Sequence, residues 1–387
     1  MTPSFPAPPP ASLDALLARM ISINSVNPHF GGPAGGEESL AADLEKVAQG
    51  WGLQTRRGAA KAGGGPRNLI VTCEPVPGGE WILFESHLDT VSVPGMTVAP
   101  FGGKIEGGRI HGRGACDTKG SGAAMLWALR EYARDARRPR NAALIFAVDE
   151  EARMTGAQAF AANELKEFLP RLRGMIVGEP TLLRPVVAHN GVIRWRTLTR
   201  GRAAHSADPA KGLSAISAMM RVVETMESRY VPLVKGSHPL TGMAALSVNM
   251  IRGGTAVNVI PAECEIEVDR RTVPGETAEQ VLRERDAILA GHAVEHDTLY
   301  VVPAMDAALG RGFHEWMSPV LKRHGCDATP RGAPYVTDAS HYAAAGAPTI
   351  VFGPGDLAQA HTKDEWLALD QLKTASAVYL DLLRAPA

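Results

Sequence analysis

The chain has 387 residues, 45% hydrophobic and 21% charged, with 40 Lys+Arg against 41 Asp+Glu for a formal net charge of -1. That length suits roughly two to three domains, with enough apolar content to bury a core and too little net charge to mark a nucleic acid or membrane-surface binder. Cys73, Cys116, Cys264 and Cys326 form no CxxC pair, which excludes a disulfide scaffold or zinc ribbon, and no apolar run nears the ~20 residues of a membrane span.

The Pro-rich first ten residues read as a flexible lead-in without a signal peptide's basic start and apolar middle, so a reducing cytoplasm is the expected compartment. Ser12 then caps a helix carrying Leu13, Leu16, Leu17 and Met20 at helical spacing, and a second helix fits 37–49. Its acidic start, Glu37-Glu38, reads as an ordinary solvated helix terminus. Low complexity is confined to the leading prolines and the glycines at 63–65. Runs at 68–73, 81–86, 142–148 and 174–178 are rich in Val and Ile and apolar on both faces, as buried strands are when helices cover both sides of a sheet. Helices are expected between them at 121–134 and 156–165.

From 186 to 302 the order is strand (192–199), helix (213–230), strand (245–251), strand (263–271), helix (277–289), strand (298–302). This is the β-α-β-β-α-β string of a ferredoxin-like unit. A helix at 313–324, a buried strand at 347–353 and a closing helix at 370–383 follow. The expected fold class is α/β: a catalytic domain built on a mostly parallel sheet (1–185 and 303–387), interrupted by the α+β insertion.

The acids and imidazoles stand at strand ends. The 81–86 run passes directly into His87-Leu88-Asp89, whose first and third side chains share a face. Asp117 lies in a glycine-rich turn that opens a helix, Asp149-Glu150-Glu151 end one strand, Glu179 ends the next, and His361 follows the last. Open α/β sheets place ligands at such ends. So many carboxylates buried together require a cation. Two histidines with several carboxylates suit two ions of Zn²⁺, Co²⁺ or Mn²⁺, with Asp117 the natural bridge.

These segments, SHLDTV (86–91), GRGACDTKG (112–120), DEE (149–151), GEPT (178–181), GRAAHSADPAKG (201–212), NVIP (258–261), DRR (269–271) and GPG…AHTKDE (353–365), occur in one order over most of 80–366. In them the chain resembles the co-catalytic zinc amidohydrolases and exopeptidases that include acetylornithine deacetylase, succinyl-diaminopimelate desuccinylase and carboxypeptidase G, with a lean towards the deacetylase. The resemblance implies that His87 and Glu179 hold one metal, Glu151 and His361 the other, and Asp117 both, most naturally as zinc. It implies that Asp89 hydrogen-bonds His87 from behind, that Glu150 is the general base, and that the Asp117–Thr118 peptide is cis. The insertion is implied to be a lid and homodimerisation module whose His205 reaches the partner's active site to stabilise the oxyanion. Arg271 and Asn258 are implied to grip a small substrate's free carboxylate. The expected reaction is hydrolysis of an N-acyl amino acid, with exopeptidase action as the alternative and a silent amino-acid-derivative binder as the third reading.

Plainer readings of some residues stay open. Asp269 and Arg271 alternate on a strand and could form a surface ion pair, His205 could simply shape a loop, and Glu150-Glu151 could open a helix. His292-Ala293-Val294-Glu295-His296 matches an HxxEH zinc-protease pattern but straddles an expected helix end, where the two histidines would not share a helical face.

Overall fold

A strand apolar on both faces needs cover above and below, and four such strands form the centre of one sheet. In the computed structural model, which describes residues 9–59 and 64–386, Asn141–Ala147, Trp81–His87, Leu172–Val177 and Thr349–Val351 lie side by side in that order, each parallel to the next. Leu69–Cys73 adds antiparallel beside Asn141–Ala147, with Gln54–Arg57 outside it, and Val186 pairs with Val351 on the other flank. The C-terminal ends of the four central strands therefore share one edge. The lead-in expected at the N-terminus lies outside the described residues through position 8, as does Gly63.

The helices cover the sheet with the residues their periodicity assigns to the core. Leu13–Ser22 starts where Ser12 Oγ accepts the Ala15 N–H at 3.1 Å, and Leu13, Leu16, Leu17 and Met20 are buried. Each such leucine contributes roughly 2 kcal/mol on burial. Lys119–Arg134 packs on Trp81–His87 and carries Leu13–Ser22 and Leu369–Arg384 against it; Phe84 and Tyr379 meet edge to face with centroids 5.3 Å apart. Ala307–Arg323 packs on Thr349–Val351 and Leu172–Val177.

The chain divides into two compact units: Met1–Val187 with Ala307–Arg331 and Thr337–Ala387, and Ala188–Asp306 with Gly332–Val336. In the second unit, Ala245–Gly253, Glu263–Thr272, Gly191–Arg200 and Val294–Val302 form an antiparallel sheet in that order. Numbered along the chain, the strand order is 2-3-1-4, the ferredoxin-like arrangement. Helices Ala215–Thr225 and Ala278–Leu289 accompany it, the latter opened by a capping box between Thr277 and Gln280. Trp195, Met219, Val222, Tyr230, Ile266 and Val281 fill its core.

The sequence reading missed several short elements, among them two in the first unit. Gln54–Arg57 is a polar edge strand, and Trp366–Ala368, Arg109–His111 and Lys104–Glu106 form a small antiparallel sheet. Gln54–Arg57 carries no apolar pattern, and the three-residue strands of the small sheet are too short to show one, although Ile110 and Leu367 pair across it and are buried. No helix among the described residues is long and apolar enough to cross a membrane.

Candidate metal centre

The shared strand edge gathers the expected groups. His87 is the last residue of Trp81–His87; Asp149, Glu150 and Glu151 follow Asn141–Ala147; Glu179 follows Leu172–Val177; and His361 follows the Thr349–Val351 strand. Asp117 enters from the turn before helix Lys119–Arg134, through a cis Asp117–Thr118 peptide. Gly353 lets the last strand end close on Glu179: a Cβ there would stand 2.4 Å from Ser121 Oγ and 2.6 Å from the Glu179 carbonyl oxygen.

His87 Nε2 lies 3.0 Å from Asp117 Oδ1 and 3.9 Å from Glu179 Oε1. On the other side of Asp117, His361 Nε2 lies 3.2 Å from Asp117 Oδ2 and 3.2 Å from Glu151 Oε2. Two triads result, His87–Asp117–Glu179 and Asp117–Glu151–His361, each with its ligand atoms within 4.8 Å of one another. One carboxylate oxygen of Asp117 faces each triad. His87, Asp117 and Glu179 are buried, whereas the His361 side chain is half-exposed at the rim.

Behind His87 stands Asp89, with a main-chain and a side-chain oxygen both in reach of Nδ1. The Nδ1–H donates to the main-chain carbonyl of Asp89 at 3.0 Å, and the Asp89 carboxylate is farther, at 3.5 Å. A carbonyl can only accept, so Nδ1 carries a hydrogen, and Nε2, which donates to Asp117 Oδ1 at 3.0 Å, is the nitrogen left to a metal once its proton is lost. The Asp89 carboxylate also accepts the main-chain N–H groups of Glu150 and Glu151, both at 3.0 Å.

Burial pushes the Glu179 and Glu150 carboxyls well above the usual range, and the Asp117 charge adds to the shift at Glu179. Glu151 shifts the same way, from burial first and Asp117 second. At Asp117 burial opposes ionisation, but hydrogen bonds from His361 and His87 hold the carboxyl below its ordinary range. His361 is pushed up to about 10 by its bonds to Asp117 and Glu151. Asp117, Glu150, Glu151 and Glu179 therefore crowd around two imidazoles, an excess of negative charge that divalent cations would balance. The donor set of imidazole nitrogens and carboxylate oxygens fits zinc, cobalt or manganese.

The remaining expected residues lie in the second unit. His205 pairs with Val259 across a two-residue ladder, Ser206 N–H donates to the Asn258 carbonyl at 3.0 Å, and His205 Nδ1 accepts the Ala207 N–H at 3.1 Å. His205 and Asn258 are thus neighbours, and His205 does shape its turn. The Arg271 guanidinium donates to Asp269 at 2.7 Å, and Arg194 holds the other oxygen of that carboxylate at 2.8 Å, which is the ion pair that the alternation in sequence allowed. The HxxEH pattern falls apart: helix Ala278–Leu289 ends before His292, whose Nε2 meets Thr225, and His296 is on a strand against Thr197. Cys116 is buried, with its thiol pushed up by burial and donating to the Asp356 carbonyl at 3.4 Å.

Three polar contributors escaped the sequence reading. Glu37 is buried, not solvated, and accepts the Asp149 N–H at 2.7 Å. Asn27 donates to both Asp89 and Asp149. Glu365 accepts the N–H groups of Gly114, Cys116 and Asp117. An Asn-Pro turn and a final acid in AHTKDE were visible, but their partners are more than 60 residues away.

Comparison with known proteins finds relatives over most of the chain. An acetylornithine deacetylase of Myxococcus xanthus is 32% identical over 284 residues, covering 70% of this chain and 71% of its own. A probable carboxypeptidase of Aspergillus terreus is 32% identical over 326 residues, covering 79% and 70%. The crystal structure of aminopeptidase PepT from Bacillus cereus superposes with a TM-score of 0.74 at 21% identity, covering 96% of this chain and 98% of that one. Residues 83–385 match the peptidase family M20/M25/M40, and the chain belongs to that family of amide- and peptide-bond hydrolases.

Proposed function

We propose that the chain removes the acyl group from a small N-acyl amino acid bearing a free carboxylate. The observation that carries this reading is the pair of triads sharing Asp117. His87 and Glu179 would hold one divalent ion, Glu151 and His361 the other, and Asp117 both, with zinc the best match to the donors. When bound, such a pair of ions lowers the pKa of water towards neutrality and polarises a carbonyl.

Within this reading the chain's own groups manage position and protons. Glu150, next to ligand Glu151, takes a proton from the attacking water at its carboxylate and returns it to the leaving nitrogen. Burial raises this carboxyl above its usual range, the direction that favours proton uptake. His361, half-exposed, is the most solvent-accessible of the five proposed ligands. His205 would serve the active site of a second copy in a homodimer, and Arg271 and Asn258 would grip the substrate carboxylate.

Exopeptidase action at the same site is the second reading, favoured by the 32% identity to a probable carboxypeptidase. A hydrolysis screen of N-acetyl amino acids, N-succinyl amino acids and dipeptides, using zinc-, cobalt- or manganese-loaded protein, separates the two. Faster release of acyl groups supports the first reading, faster dipeptide cleavage supports the second, and no turnover of any member overturns both.

A further inference from the structure

Four consecutive main-chain N–H groups in the turn that carries Glu150 and Glu151 are captured by side-chain oxygens from other segments. Val148 N–H donates to Asn68 Oδ1 at 3.2 Å and Asp149 N–H to Glu37 Oε1 at 2.7 Å. Glu150 and Glu151 N–H donate to the two oxygens of Asp89, each at 3.0 Å. Asp149 sits in the left-handed region at φ 66, which aspartate tolerates where its short side chain is hydrogen-bonded nearby. Its carboxylate is held by Thr155 Oγ1 at 2.5 Å and Asn27 Nδ2 at 3.0 Å.

Asn27 is the joint of this network. Its Nδ2 carries two hydrogens; one goes to Asp149 and the other to Asp89 Oδ2 at 2.8 Å. Two carboxylates can face one group only if that group donates to both. Its Oδ1 accepts the His29 N–H at 2.9 Å, and its own N–H donates to the Thr90 carbonyl at 2.9 Å, so the amide cannot swing away. Asn27 is 3% exposed and Glu37 4%.

We infer that Asn27 and Glu37 are positioning residues. Together they fix the Asp149–Glu151 turn, so that two adjacent glutamates project differently, one as base and one as ligand. The inference rests on the proposed roles of Glu150 and Glu151. It goes beyond them in making the geometry of that pair depend on two residues of the N-terminal segment.

The test uses the full metal-loaded chain and the best substrate from the hydrolysis screen. Asn27→Asp keeps the oxygen that caps His29 but replaces the donor with a third carboxylate. Its kcat should fall about 10- to 100-fold with KM within about twofold, and its metal should be lost to chelator about tenfold faster. A folded Asn27→Asp protein with wild-type kcat and metal release overturns the inference, since a purely structural role would lower the melting temperature alone. The Glu37 variants decide the matter if Asn27→Asp does not fold. Glu37→Ala should lose at least about tenfold in kcat, and Glu37→Gln, which still offers an oxygen to the Asp149 N–H, should restore most of it. Equal impairment of the two overturns the acceptor role. Failure of the underlying reading looks different: Glu150→Gln would then turn over normally, whatever the Asn27 and Glu37 variants do.

Discussion

Arg113 Nη1 lies 2.6 Å from Glu365 Oε2, both side chains buried, and the same carboxylate accepts the N–H groups of Gly114, Cys116 and Asp117 at 3.2, 2.9 and 3.1 Å. One glutamate near the C-terminus thus neutralises an arginine and shapes the turn that presents Asp117. Glu365→Ala leaves that arginine buried without its carboxylate, and the expected cost is about 3–5 kcal/mol in urea unfolding. The bound-metal content of the surviving folded fraction should fall as well, because the residue facing both triads loses its support.

Glu150→Gln keeps the shape of the side chain and removes its basicity. The variant should bind metal as the wild type does while kcat falls about 10²- to 10⁴-fold. Metal analysis and steady-state kinetics on one preparation check both halves of the expectation.

Glu151→Ala and His361→Ala should each retain about one equivalent of tightly bound metal where the wild type holds two, since the His87–Asp117–Glu179 triad stays complete. Elemental analysis after dialysis reads this directly. Loss of both ions would show that the two triads cannot be filled separately.

Removing metal with chelator should lower the melting temperature. A site saturated about a thousandfold above its dissociation constant contributes roughly 4 kcal/mol to the folded state. Adding back zinc, cobalt or manganese should restore both stability and turnover, while magnesium, which prefers an all-oxygen shell, should restore less.

A pH effect separate from the metal centre is expected at His341. Burial lowers its pKa to about 4 in the folded protein, against ~6.5 in an unfolded chain. Between these values the unfolded chain takes up a proton that the folded chain refuses. Stability from this group is therefore full above the unfolded pKa and is lost as pH falls from ~6.5 through about 4. The loss amounts to roughly 3 kcal/mol at most. His341→Leu should flatten that limb; comparing urea midpoints of variant and wild type at about pH 7.5 and pH 5 isolates it from the carboxylates.

What could be read from the chain alone depended on whether a residue's partner was near in sequence or followed from periodicity. His87 and Asp89 were legible because strand alternation puts them on one face. The ends of the buried strands were legible because parallel strands share an edge. Glu37 was not: an acid in the first turn of a helix is ordinarily solvated, and only the Asp149 N–H, 112 residues away, makes it a buried acceptor. Asn27 was hidden for the same reason. Gln54–Arg57 carries no apolar alternation, since it adds to the sheet edge through main-chain bonds that any sequence can make.

The division of the first unit into separate stretches has a consequence for biosynthesis. Four of the five proposed ligands leave the ribosome before residue 187, but His361 and the Thr349–Val351 strand emerge only after the second unit has been made. The unit encoded in the middle can close its own core while the earlier half waits for its last central strand. Throughout that interval the acidic edge lacks both the imidazole that completes its second triad and the Glu365 carboxylate that shapes the Asp117 turn, so a nascent chain stalled before residue 361 should not hold two ions.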